Sequence, residues 1–380
     1  MTFAAFLGLG FALPFLPLFV QELGVHDPAD AAQWAGLLIG VGPLFAGLLA
    51  PFWGARADRH GYKTVALIAL LALGFAQIVA AVAESPWHVL VSRVLSGLFG
   101  GVGPLGLAMA SGTAGDRGGA SRAIGKIQAA QILAAGIGPL LGGALATALG
   151  IRIAFWGAAL LCLAAALIVG WMYEDEPRPR PAAVEPPLAT AVPLGAAFFA
   201  GLVCVVFFVN FASRSFTPIL PAQLEALGLD RKALALSTGI LISVYSVAAA
   251  ASSFAFGRLA SRSDPARLLG LSLTLSLGSA LAMGYAPTFP TFLAIAAGFG
   301  LVSGGSLTLG YSLGSRRYGE AARGAFFGKL SGAALIGGAV APAIAAFVAR
   351  SSLVNVYWMN ALIYLALVAV TFTALRERKA

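Results

Sequence analysis

Apolar stretches of 18 or more residues recur along this whole 380-residue chain, from "FAAFLGLGFALPFLPLFV" near its start to "LVNVYWMNALIYLALVAVTF" near its end. A helix of about 20 such residues crosses a hydrocarbon layer of roughly 30 Å. Inside that layer no water is present to satisfy backbone N–H and C=O groups, so each run must bond within itself. The runs are too long for the strands of a membrane barrel, and helix is the remaining solution. The expected fold is an all-α integral membrane protein of twelve transmembrane helices. The spans fall at 3–24, 32–56, 63–83, 87–112, 122–149 and 152–173, then 194–222, 235–260, 267–285, 289–313, 325–349 and 352–375. A composition of 59% hydrophobic and 10% charged residues agrees, because a soluble chain of this length needs far more polar surface.

The formal charge of +9 does not point to nucleic acid, because the basic residues sit in short loops between apolar runs. They read as topology signals. With both termini placed in the cytoplasm, the inner loops and C-terminal tail hold 18 of the 24 Lys and Arg residues. Four lie in outer loops (Arg152, Arg231, Lys232 and Arg350), and Arg93 and Arg214 lie within spans. Cys162 and Cys204 both fall inside apolar segments, so no disulfide framework or Cys-based metal site is expected. His26, His60 and His88 are scattered at loop ends. The N-terminus lacks a basic region and a small-residue cleavage site and reads as a retained first span.

Between the sixth and seventh spans lies "EDEPRPRPAAVEPPLATAVP", residues 174–193, whose six prolines and four acidic residues exclude a span. It reads as an extended cytoplasmic linker between a six-helix bundle at 1–173 and another at 194–380. The two halves repeat each other. Pro14, Pro17, Glu22 and Gly24 close the first span as Pro218, Pro221, Glu225 and Gly228 close the seventh. Gly54 and Arg59 recur as Gly257 and Arg262, and Gly125, Lys126 and Pro139 as Gly328, Lys329 and Pro342. Phe155 is answered by Trp358. Six is even, so both copies enter the membrane from the same side as parallel repeats about an axis along the membrane normal.

Charge concentrates in one short loop after the second span, "GARADRHGYK", residues 54–63. The stretch resembles the signature loop of the major facilitator superfamily, with Gly54, Asp58, Arg59, Gly61 and Lys63 matching and Tyr62 replacing an expected Arg. Topology alone explains Arg59 and Lys63 but not an Asp between two Args. Asp58 at a helix end can face the positive N-terminus of a neighbour, and Arg59 can bind carboxylates or carbonyl ends. The resemblance implies a latch that closes the cytoplasmic side in the outward-open state.

Three further stretches carry the resemblance. "GKIQAAQILAAGIGPLLGGA" in the fifth span resembles the antiporter motif of that superfamily, through Gly125, Gly138, Pro139, Gly142 and Gly143, with Ala134 in place of one glycine. A mid-span Gly-Pro removes a helical hydrogen bond, and the glycines let a neighbour approach backbone to backbone. "LVSRVLSG" in the fourth span resembles a pattern whose arginine, here Arg93, is linked to proton transfer. A buried cation is costly unless paired, although an Arg at this depth also reaches the interface by snorkelling. "LPFLPLFVQELG" closes the first span as in the drug–proton antiporter branch, with Glu22 at a depth similar to Arg93 and open to pairing with it. Glu22, Asp58 and Arg93 are therefore the proton-coupling candidates.

The superfamily lines its central cavity with the first, fourth, seventh and tenth spans. On that basis Asn210 and Arg214 are substrate-cavity candidates, with Gln128, Gln131, Tyr245, Tyr311, Phe6 and Met109 as further ones. Aromatic and apolar walls with few polar groups suit lipophilic compounds. None of the fifteen Asp and Glu residues falls at the centre of a span, so an anionic or neutral substrate fits as well as a cationic one. No phosphate loop, paired His–carboxylate motif or Ser-His-Asp set is present, so no catalytic residue, metal, cofactor or nucleic-acid partner is implied. The expectation is a monomeric, proton-coupled exporter of small lipophilic compounds in a bacterial inner membrane. Its rivals are an exporter of one endogenous metabolite (a sugar, siderophore or lipid-like compound) and a non-transporting membrane sensor or scaffold.

Overall fold

The computed structural model describes residues 2–100, 117–174, 196–260, 262–317 and 323–375, all helical or in short connections, with no strand among them. Ten described helices are long and apolar enough to cross a membrane, and Leu133–Leu149 is a shorter apolar segment. Their bounds follow the sequence expectation closely, as in Tyr62–Ala81, Ile151–Met172, Pro265–Gly284 and Leu353–Leu375. The expected fourth span is helical over Pro86–Leu98, and its continuation beyond residue 100 lies outside the described residues. The linker expected at 174–193 also lies outside them, apart from Glu174.

Local chemistry sets the helix starts. Asp27 accepts a hydrogen bond from the Ala29 N–H at 2.7 Å at the head of Pro28–His60, and Asp264 does the same for Ala266 at 2.9 Å before Pro265–Gly284. Each is an N-cap followed by proline, whose missing N–H costs nothing in the first turn. The prolines singled out near the end of the first span break it into Thr2–Ala12, a 3-10 turn at Leu13–Phe15, and Leu16–Glu22. The seventh span breaks in the same way, into Ala196–Ser215, a 3-10 turn at Thr217–Ile219, and Leu220–Ala226. Gly24 and Gly228 then follow, with φ of 99° and 85°. The repeat read in the letters is thus also a repeat of backbone geometry.

The helices gather into two compact units. The first comprises Met1–Pro177, Thr217–Ser246 and Pro342–Phe347. Its core has one cluster around Phe15, Phe19 and Phe155, with the Phe19 and Phe155 ring centroids 4.9 Å apart. A second cluster joins Leu70 and Leu73 of the third span to Cys162 and Ala165 of the sixth. The second unit comprises Arg178–Phe216, Val247–Ala341 and Val348–Ala380. Here Phe216 stacks on the buried Tyr357 at 5.4 Å, and Phe299 meets Phe216 edge-on. Serines tie its helices together: Ser272 donates to the Val302 carbonyl and bonds Ser306, while Ser252 accepts from the Gly305 N–H. Such bonds replace the hydrophobic drive that lipid removes.

Candidate functional site

The loop between the second and third spans turns at Gly61, with φ 89° and ψ 146°. A side chain would be strained there, which gives the motif glycine a physical cause. Arg59 is exposed and Lys63 half-buried. Positions 54 and 58 lie on the helix Pro28–His60, but the Gly54 and Asp58 side chains are outside the described residues.

The fifth span is one helix, Arg117–Leu149, that runs through Pro139. Its motif glycines sit where backbones touch. A Cβ at Gly138 would stand 3.1 Å from the Leu7 carbonyl oxygen and from the Gly10 Cα of the first span, and one at Gly142 would overlap the Phe11 carbonyl. Gly143 faces the eighth span instead, where a Cβ would stand 2.7 Å from the Ala235 carbonyl oxygen. Gly239 returns the contact, with the Pro139 carbonyl in the way of any side chain. Gly36 of the second span is closed off by Pro342 in the same manner, with the carbonyl oxygen 2.6 Å from a Cβ. Every one of these contacts lies within the first unit. At Gly142, Gly143, Gly239 and Gly36 the neighbour is backbone and cannot rotate away, so a side chain would push the helices apart, whereas at Gly138 the fit is tight. The Gly125 and Gln128 side chains are outside the described residues.

Arg93 is 2% exposed, which rules out a side chain reaching for the interface. Its Nη2 donates to Gln77 Oε1 at 2.8 Å and approaches Ser92 Oγ at 3.4 Å, and its Cζ lies 5.9 Å from the Phe155 ring centroid. Ser92 in turn donates to the Ala76 carbonyl, and Ser96 to the Ser92 carbonyl. The pairing with Glu22 left open by the sequence is not what the structure shows. Arg93 bonds the neutral Gln77, and the charge acting on the exposed Glu22 is that of Arg152. Arg152 itself donates to the Ala81 carbonyl at the end of the third span and lies over the Phe19 ring.

Arg93 and Phe6 line one cavity of about 160 Å³ between the first four spans, with Leu9, Leu13, Leu38, Ile39, Ser96 and Leu73 among its walls. Gln131 and Tyr245 are half-buried elsewhere in the first unit. In the second unit Asn210 is half-buried and Arg214 exposed on the same helix, both next to Gly338, while Tyr311 is half-buried. Met109 lies outside the described residues. Gln77 was missed as a site residue. Its one sequence signal is a lone amide in an otherwise apolar third span.

The sequence profile of the Major Facilitator Superfamily matches residues 1–201 and again 202–380. The chain belongs to the Major Facilitator Superfamily. Similar sequences include the multidrug resistance protein MdtG of Yersinia enterocolitica, 32% identical over 297 residues that span 76% of this chain and 69% of that protein. MdtG of Proteus mirabilis is 32% identical over 295 residues, covering 74% of this chain and 72% of its own. Among solved structures, a bacterial homologue of the human lysosomal transporter Spinster superposes with a TM-score of 0.79 at 17% identity, over 98% of this chain and 95% of that one. The nucleoside transporter NupG superposes with a TM-score of 0.78 at 13% identity, over 99% and 98%. The facilitator fold is thus established, and the protein is a membrane transporter of this superfamily rather than an enzyme.

Proposed function

We propose that this facilitator exports small lipophilic compounds across a bacterial inner membrane by alternating access, in exchange for protons. In this reading it is a monomer with both termini in the cytoplasm. Bundles 1–173 and 194–380, joined by the linker 174–193, rock about a central site. The doubled profile match and the paired proline breaks in the first and seventh spans support two such repeats. The multidrug resistance relatives support the substrate class.

The observation that carries the reading is the glycine seam of the fifth span. Gly143 and Gly239 bring the fifth and eighth spans together backbone to backbone, as Gly36 and Pro342 bring the second and eleventh. These four span ends would form a seal on the outer side that opens once per cycle. Gly54, Asp58, Arg59, Gly61 and Lys63 would latch the opposite side, and Gly125, Gly138, Pro139, Gly142 and Gly143 would form the packing face. Glu22, Asp58 and Arg93 remain the coupling candidates. Asn210, Arg214, Gln128, Gln131, Tyr245, Tyr311, Phe6 and Met109 would line the substrate path.

The test is transport by purified protein in liposomes that carry a trapped pH dye. Proton movement driven by several unrelated lipophilic compounds supports the reading. Saturable movement of one compound without the others replaces it with a dedicated metabolite exporter.

A further inference from the structure

Arg93 presents an imbalance that its own surroundings do not resolve. It is buried, its hydrogen-bonded partners Gln77 and Ser92 are neutral, and its Nε–H has no partner among the described residues. No acidic side chain among the described residues is hydrogen bonded to it. An unpaired cation inside a helix bundle is unfavourable by several kcal/mol, and a counter-anion removes most of that penalty. The guanidinium borders an apolar cavity, so there is space for the anion to arrive with an apolar body attached.

Size and wall chemistry narrow the ligand. A dry apolar cavity of about 150 Å³ holds a benzene ring, and this one measures about 160 Å³. Phe6, Leu9, Leu38 and Ile39 supply the apolar walls, and Arg93 and Ser96 the polar corner. An inorganic anion alone would leave those walls uncovered. A cation would be repelled by Arg93 with no carboxylate to receive it.

We propose that this cavity is a binding subsite for the acidic end of an apolar compound, a ring-sized carboxylate whose charge meets Arg93 and whose body fills the space beside Phe6. The subsite names a substrate class for the export reading and rests on that reading only for the fate of the bound compound.

The experiment titrates purified protein in detergent with three probes of one shape, benzoate, benzyl alcohol and benzylamine, by calorimetry. Benzoate should bind at least tenfold more tightly than benzyl alcohol, and benzylamine more weakly than either. Arg93→Met should abolish the preference for benzoate over benzyl alcohol. If that variant does not fold, Ala46→Leu tests the same point with Arg93 intact: it occupies the cavity and should remove binding of both. Equal affinity for benzoate and benzyl alcohol, tighter binding of benzylamine, or unchanged benzoate binding in Ala46→Leu overturns the proposal. Export is read separately, as movement of a neutral lipophilic dye in liposomes. Dye movement without benzoate preference removes the subsite and keeps the exporter. Benzoate preference without movement of any compound keeps the subsite and removes the exporter.

Discussion

Gly143→Ala adds one methyl group at the seam between the fifth and eighth spans. Its Cβ would stand 2.7 Å from the Ala235 carbonyl oxygen and 3.2 Å from the Leu236 Cα, where ordinary contact begins at 3.4 Å. Both obstacles are backbone, so no rotamer change relieves the overlap and the helices must move apart. Overpacking of this kind costs about 1–3 kcal/mol. If the seam exists in only one of two alternating states, the whole cost falls on that state and shifts the equilibrium by about 5- to 150-fold. The assay places spin labels at Leu149→Cys and Arg231→Cys, both exposed positions flanking the seam, in a background without Cys162 and Cys204. Pulsed electron resonance on the variant should show the longer separation gaining population, with slower turnover in liposomes. Gly298→Ala is the control, because its Cβ meets nothing within 4 Å. An unchanged distance distribution in Gly143→Ala would refute the claim that the seam opens during the cycle.

Three further expectations follow from single side chains. Asp58→Asn should leave the thermal unfolding temperature unchanged and lower turnover at least fivefold in liposome transport, because the latch loses its charge. Gln77→Leu removes the acceptor of the Arg93 bond and should lower stability by about 1–2 kcal/mol, seen as a lower unfolding temperature in detergent. Tyr357→Phe should leave that temperature unchanged or raise it, because the buried hydroxyl has no hydrogen-bond partner among the described residues to lose.

Much of the architecture was legible because two strong physical rules act on it. Span length and backbone satisfaction located the described helices to within a few residues, and the matching prolines of the first and seventh spans marked the repeat, whose breaks at Leu13–Phe15 and Thr217–Ile219 the structure then shows. The motif glycines of the fifth span were legible as a packing face, but their partners were not. Nothing in the sequence says that Gly143 meets Ala235 while Gly138 meets Gly10, since that depends on how helices far apart in the chain are oriented. Arg93 shows the same limit. Its depth was readable from its place in the span expected at 87–112, yet depth alone left snorkelling and burial equal. The deciding partner, Gln77, lies 16 residues earlier on another helix. The pairing of Glu22 with Arg93 that similar depth left open used depth without azimuth: Arg93 bonds Gln77, and Glu22 is exposed at its helix end, within the field of Arg152.

Export coupled to protons is the central claim, and one transport measurement tests it most directly. Purified protein is reconstituted into liposomes with an imposed pH gradient and a fluorescent lipophilic compound on the side that corresponds to the cytoplasm. The account predicts accumulation of the compound against its gradient, collapse of that accumulation when the pH gradient is dissipated, and proton movement in the opposite direction. Accumulation that survives dissipation of the pH gradient, or no accumulation of any compound, would contradict it.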